Sequence, residues 1–202
     1  MGIKQRRERE KQEVRQGILT AAREIARQEG WQFVTIRKVA ERIEYSPPTI
    51  YEYFESKEDI LLELLREGFC QVAAALRIAR ESTEDPEQRL INMVEVYWNF
   101  AMSNPELYQV MNGLGVPYCR EKPAAMRESF VITQEALTDW MQATGVDIPD
   151  VEGAVQIIRS LVHGLISLTM ADRIYGGEAR AKQLVQRAMH DMFAAWRTKR
   201  EE

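Results

Sequence analysis

The chain of 202 residues carries 27 Lys and Arg against 31 Asp and Glu, a formal charge of −4, which excludes a protein that coats nucleic acid or an acidic membrane without discrimination. Its length exceeds the usual single domain yet is short for two full ones, so a small unit feeding a larger core is expected. Cys70 and Cys119 give neither a disulfide framework nor a CxxC metal cage, the charged start Met1–Arg7 has no apolar segment behind it, and no stretch approaches the ~18 apolar residues of a membrane span, which predicts a cytoplasmic protein with no membrane attachment. Residues 1–43 hold 11 Lys and Arg against 6 Glu, so any nucleic-acid contact belongs to that local surplus, part of which a solvated helix face explains equally well.

In chain order, Val14, Ile18, Ala22, Ile25 and Ala26 recur at spacings of three and four, one face of a helix that Gly30 stops. Ahead of it, Arg6, Arg7, Arg9 and Lys11 read either as a disordered arm touching a minor groove or as a solvated tail. Thr35 is placed to cap a short second helix whose buried stripe is Ile36, Val39, Ala40 and Ile43. After Glu44-Tyr45, Ser46 can cap a third helix, Thr49 to Phe54, with prolines in its first turn, where a missing N–H costs nothing. Ser56 caps a fourth helix that opens with Glu58 and Asp59, acids where the helix dipole favours them.

The remainder reads as helices separated by breakers. One runs from Asp85-Pro86 to about Met102 and another from Asn104-Pro105 to near Gly113. Gly113 to Pro117 is a loop. Pro123 opens the next helix, and Gly145 to Pro149 breaks the chain before a strongly apolar helix containing Val155, Ile158, Leu161, Val162, Leu165 and Leu168. Gly176-Gly177 precedes a last helix with Leu184, Ala188, Met192 and Trp196. No alternating strand pattern survives, so the expected fold is all-α with about nine helices.

Two short helices joined by a tight turn cannot bury enough surface to stand alone. Braced by the first and fourth helices, they leave one face of the second short helix open, the arrangement that suits a DNA major groove. Thr35-Ile36-Arg37-Lys38-Val39-Ala40 followed by Ser46-Pro47-Pro48-Thr49-Ile50-Tyr51-Glu52-Tyr53-Phe54-Glu55-Ser56-Lys57-Glu58-Asp59 closely resembles the DNA-binding signature of the TetR family. The resemblance implies an N-terminal helix-turn-helix domain over 1–60, with the helix-turn-helix at about 35–54, and an effector-binding and dimerisation domain over 61–202.

It also implies roles for individual residues. Thr35 and Arg37 lie on the first helix of the pair, Arg37 reaching guanine or phosphate. Pro47, Pro48 and Thr49 open the recognition helix nearest the bases, while Tyr51, Tyr53 and Lys57 contact phosphate. Ile50 and Phe54 belong to the core by spacing. Glu44 stands where many relatives have Gly, and Glu52 where bulky or polar readers are common, which leaves the operator sequence open and not the groove docking.

By the same resemblance, an apolar or aromatic small-molecule effector occupies the C-terminal body, with Tyr97, Trp98, Met102, Tyr108, Met111, Phe130 and His163 as candidate lining residues. Each is also explained as ordinary core. Tyr97 to Ala101, Asn104 to Tyr108 and Leu161-Val162-His163-Gly164-Leu165 are similar to a subgroup with a Trp-His-Gly signature, with Arg159 near the position of that tryptophan. The last two helices are expected to pair two copies into a homodimer on palindromic double-stranded DNA, as a repressor or an activator.

No metal site, cofactor motif, HExxH, GxSxG or P-loop is present, so the chain is not read as an enzyme. An all-α enzyme and a ligand-independent helical DNA-binding or adaptor protein are the competing classes.

Overall fold

The computed structural model describes residues 2–114 and 123–198. Among them it is all-α: α1 (Ile3–Glu29), a single 3-10 turn (Trp31–Phe33), α2 (Ile36–Arg42), α3 (Pro47–Tyr51), α4 (Lys57–Arg80), α5 (Pro86–Ser103), α6 (Pro105–Asn112), α7 (Ala124–Thr144), α8 (Val151–Met170) and α9 (Gly177–Thr198). Gly115, Val116 and Pro117 of the expected loop, and Cys119, lie outside the described residues.

Local chemistry explains most boundaries. Gly30 ends α1 with φ 102° and donates its N–H to the Ala26 carbonyl. The Thr35 hydroxyl accepts from the Lys38 N–H at 3.2 Å. Asp85 caps α5 by accepting from the N–H groups of Glu87 and Gln88, and Asp150 accepts from Gly153 at 2.8 Å. Each satisfies a donor that a helix start leaves orphaned. Ser56 does the same for Asp59, whose carboxylate accepts the Ser56 hydroxyl in return.

Two starts differ from the sequence expectation. α1 begins at Ile3, so Arg6, Arg7, Arg9 and Lys11 are helical and exposed, a solvated extension of α1 and not a disordered arm. Pairs four residues apart, Arg6–Glu10 at 2.7 Å and Arg9–Glu13 at 3.4 Å, support that extension by a few tenths of a kcal/mol each. α3 begins at Pro47 because both prolines fit its first turn, and Ser46 stands at its N-cap without bonding a backbone donor. Its hydroxyl lies 3.0 Å from that of Thr49 instead.

The residues fall into two compact units, and the chain passes from one to the other inside α4. The first contains α1 to α3, α4 through Gly68, and α6. The second contains α4 from Phe69, α5, and α7 to α9. These units do not coincide with a division at 60/61, because residues 61–68 and α6 group with the N-terminal helices.

In the first unit, Ile18, Ala22, Ile25, Val39, Ala40, Ile50, Phe54, Ile60 and Leu64 form the buried core. Arg15 lies over the Phe54 ring at 4.7 Å and pairs with Glu63 at 3.1 Å, bracing α1 against α4. Glu106 fastens α6 to α1. It is the one buried charged residue among the described residues, 2% exposed. Its carboxylate accepts from Arg23 Nη2 at 2.8 Å and Arg27 Nη2 at 2.9 Å, and its carbonyl accepts the Trp31 indole N–H at 3.1 Å. Burial opposes ionisation, but the hydrogen bonds from Arg27 and Arg23 outweigh it and hold the carboxyl below the ordinary glutamate range. Met111 seats α6 on α4 at Gly68, where a Cβ would lie 2.6 Å from the Met111 sulfur.

In the second unit, α5, α7, α8 and α9 pack around Leu90, Met93, Leu137, Trp140, Val155, Ile158, Val185, Met189 and Phe193. Trp140, Phe193 and Trp196 form an aromatic cluster with centroids 5.0–6.0 Å apart. Among the described residues α8 is a weakly apolar helix, long and apolar enough to cross a membrane by length and composition only, a test that core helices of folded proteins also pass, and 28% of that window is buried. It also carries Glu152, Arg159 and His163.

Candidate nucleic-acid interface and ligand cavity

In the first unit, α2 and α3 pack together with a turn at Ile43–Ser46 between them. α3 is too short to hold itself, and it is anchored by Ile50, fully buried, and by Phe54 just beyond it. That leaves Pro47, Pro48 and Tyr51 exposed and Thr49 half-buried along the other side. Tyr45 and Tyr51, at 47% and 55% exposure, are large aromatics that the monomer does not use for packing. Glu44 sits at φ 59°, the left-handed region where a Cβ is strained. Glu44→Gly is therefore expected to raise the unfolding free energy by about 0.5–1 kcal/mol, relief of strain exceeding glycine's entropic cost, as read from urea denaturation.

The basic residues are more committed than their number implies. Arg37 donates through Nε to Glu41 at 2.8 Å while remaining 84% exposed. Lys38 pairs with Glu29 at 2.6 Å, and Arg42 with Glu24 at 3.4 Å. Lys57 donates to the Trp31 carbonyl at 2.7 Å, and burial lowers the pKa of its ammonium. That bond uses one of its three donors. Thr35 is exposed, its oxygen engaged as the α2 cap. Tyr53 is half-buried and shares a groove with Tyr45, Glu52, Arg7, Glu10, Lys11 and Val14. Sequence reasoning missed Arg7 and Lys11 as ordered members of this groove, although the pattern of charges four residues apart was there to find them.

In the second unit a cavity opens among α4, α5, α7, α8 and α9. It encloses ≈ 620 Å³ of empty space including its mouth. Phe69, Val72 and Leu76 supply one wall, Leu90, Met93, Val94 and Tyr97 another, and Ile158, Arg159 and Val162 a third, with Ser129, Thr133 and Met189 completing the lining.

Of the expected lining residues, Tyr97 is in this wall. Phe130 and His163 adjoin it through Arg159, whose guanidinium lies 5.8 Å over the Phe130 ring and whose charge adds to burial in lowering the His163 pKa. His163 also lies 3.4 Å from the Ser167 hydroxyl. Trp98 is buried beside a separate void with ≈ 250 Å³ of empty space including its mouth, and Met102 is half-buried outside the cavity lining. Tyr108 and Met111 are buried in α6, within the first unit.

Comparison with known proteins decides the family. A family profile described as "Bacterial regulatory proteins, tetR family" matches residues 18–64, and one described as "Tetracyclin repressor-like, C-terminal domain" matches residues 90–192, half of the chain. The chain belongs to the TetR family. Within the TetR family it is similar to the HTH-type transcriptional activator FasR of Mycolicibacterium smegmatis, 28% identical over 94 residues, 46% of this chain and 43% of that protein. It is also similar to the HTH-type transcriptional repressor KstR of the same species, 34% identical over 111 residues, 55% of this chain and 52% of that protein. These matches span about half the length of the curated relatives. Among solved structures, a protein of unknown function from Rhodococcus sp. RHA1 shares the fold at a TM-score of 0.76 and 22% identity, over 92% of this chain and 94% of that one. The all-α architecture with an N-terminal helix-turn-helix is thus a TetR-family architecture.

Proposed function

We propose that the chain is a sequence-specific, DNA-binding transcriptional regulator, a homodimeric repressor that leaves a palindromic operator when a small molecule fills the cavity of its second unit. The carrying observation is α3, held by Ile50 and Phe54 with its proline-lined start and Tyr51 left open. Exposed Arg37 and Tyr51 supply donors for phosphate or base edges. α4 contributes Lys57 to the first unit and Phe69, Val72 and Leu76 to the cavity, so the reading gives it the coupling role. An effector with higher affinity for the arrangement that does not fit DNA supplies the energy for release.

α8 supports dimerisation. Ile157, Leu161, Gly164 and Leu168 follow one another at spacings of four, three and four, and Ile157 and Leu168 are 58% and 43% exposed. A Cβ at Gly164 would meet nothing within 4 Å in this chain, which leaves room there for a second helix. α9 adds half-buried Leu184, Ala188, Met192 and Trp196.

The test is selection of sites from a randomised DNA pool by the purified protein at stated salt, repeated with Arg37→Ala and Tyr51→Phe. An inverted-repeat site is expected, with each substitution weakening it by about tenfold, on the order of 1–2 kcal/mol. If Arg37 contacts phosphate, its loss reduces the salt slope by about one; if it contacts guanine, specificity relaxes at one position. Recovery of no preferred site would sink the regulator reading in favour of an adaptor.

A further inference from the structure

The cavity lining holds one charged side chain, with Tyr97, Ser129 and Thr133 as its other polar members and apolar residues for the rest. The charged residue is Arg159, on the same helix face as Ile158 and Val162. Among the described residues it forms no ion pair, whereas Arg80 and Arg89, also partly buried in the second unit, both pair with Asp139, at 3.1 and 3.2 Å. A half-buried guanidinium on a cavity wall, left without an anion among the described residues, is an unfavourable arrangement for a wall that serves packing alone. The guanidinium carbon lies 5.8 Å over the Phe130 ring, a cation–π distance that leaves its N–H donors for a forked, two-oxygen partner.

The neighbouring polar groups do not compete for that role. The Ser129 hydroxyl donates to the Ala125 carbonyl at 2.9 Å and the Thr133 hydroxyl to the Ser129 carbonyl at 3.0 Å, so both spend their hydrogens on the α7 backbone. His163 is held towards its neutral form by burial and by Arg159 itself, so it adds no second cation. The local charge matches a monoanion better than a dianion. Size narrows the body of the ligand. Centres of water-sized molecules have ≈ 60 Å³ available, room for about five waters, which favours a small aliphatic body over a fused-ring one.

We propose that this cavity binds a slender apolar monocarboxylate, with its carboxylate paired to Arg159 and its hydrocarbon body among Phe69, Leu76, Leu90, Met93 and Ile158. The proposal rests on the effector-regulated reading above and names the chemical class of the effector. A neutral ligand of the same shape would leave Arg159 unpaired, and a cationic one would be repelled.

The experiment is calorimetric titration of the full chain with octanoate and with 1-octanol, repeated with Arg159→Gln. Octanoate is expected to bind the native protein at least tenfold more tightly than octanol, and Arg159→Gln to erase that preference while leaving octanol binding unchanged, which shows the cavity intact. Equal binding of the two ligands by the native protein, octanoate binding indifferent to Arg159→Gln, or no saturable octanoate binding would each overturn the assignment. Operator retention is measured separately without ligand on both proteins. Its loss in the native protein would count against the regulator reading, whereas intact retention with failed titration would count against the carboxylate alone.

Discussion

The Arg23→Met, Arg27→Met double variant is expected to lose about 3–5 kcal/mol of unfolding free energy at pH 7, while Glu106→Gln loses only about 1–2 kcal/mol. The asymmetry follows from which group is buried. The Glu106 side chain is 1% exposed, whereas those of Arg23 and Arg27 are 22% and 55% exposed. Removing both arginines leaves a carboxylate shielded from water with no countercharge. Neutralising Glu106 leaves two guanidinium groups that reach solvent and keep hydrogen-bonding partners.

Acid titration separates this account from simple loss of packing. In the native protein the Glu106 pKa is depressed, so its contribution is present above the unfolded value of ~4.3 and is lost as pH falls through the folded one. In the double variant, burial, the largest influence, is opposed only by a backbone hydrogen bond and raises the folded value above the unfolded one, so acidification relieves the penalty. The stability gap between the two proteins should narrow as pH falls from 7 towards 4 in urea denaturation series. A gap of constant size would assign the loss to the arginines' aliphatic stems.

Ile157→Glu combined with Leu168→Glu is expected to give a folded monomer and to lower operator affinity by about 10²- to 10⁴-fold. Both side chains are exposed in the single chain, so charging them costs the monomer little, but in a pairing of α8 helices the carboxylates would be buried near like charges. Separating the two reading heads then removes the effective concentration by which the first bound half-site recruits the second. Sedimentation velocity reads the oligomeric state and a gel-shift titration reads affinity. Gly164→Leu provides an independent check, because leucine improves helix propensity and its Cβ would meet nothing within 4 Å in this chain, yet the side chain occupies the space a partner helix needs. A dimer that survives both changes would place the interface elsewhere.

The features legible in the sequence are those whose physics is local. Thr35 bonds three residues ahead, Gly30 and Gly145 take positive φ where helices stop, and Pro86 and Pro105 stand at helix starts. Ile50 and Phe54 were placed in the core by spacing and are buried. Apolar periodicity located the first helix only from Val14, since a solvated extension stabilised by charge pairs has no buried stripe. The ties of Glu106 span 79 and 83 residues, a separation over which a glutamate in a helix's first turn looks like an ordinary dipole partner. Arg159 stood out in the sequence only by interrupting a familiar pattern. Its importance for the cavity depends on which walls surround it and on its having no ion pair among the described residues, and neither is written in neighbouring residues.

The place of α6 has a consequence for evolution and engineering. The N-terminal unit is discontinuous in sequence: after α4 leaves it, the chain returns at Pro105 to lay down α6 beside Trp31, Arg23 and Arg27. A reading head cut at the end of the helix-turn-helix signature would shed the carboxylate that binds those arginines and the carbonyl that receives the Trp31 indole. Exchange of heads among relatives by a single crossover is thereby penalised unless the incoming body brings a matching residue at position 106. On the proposed function, specificity is consequently easier to alter by point changes on α2 and α3 than by shuffling whole domains.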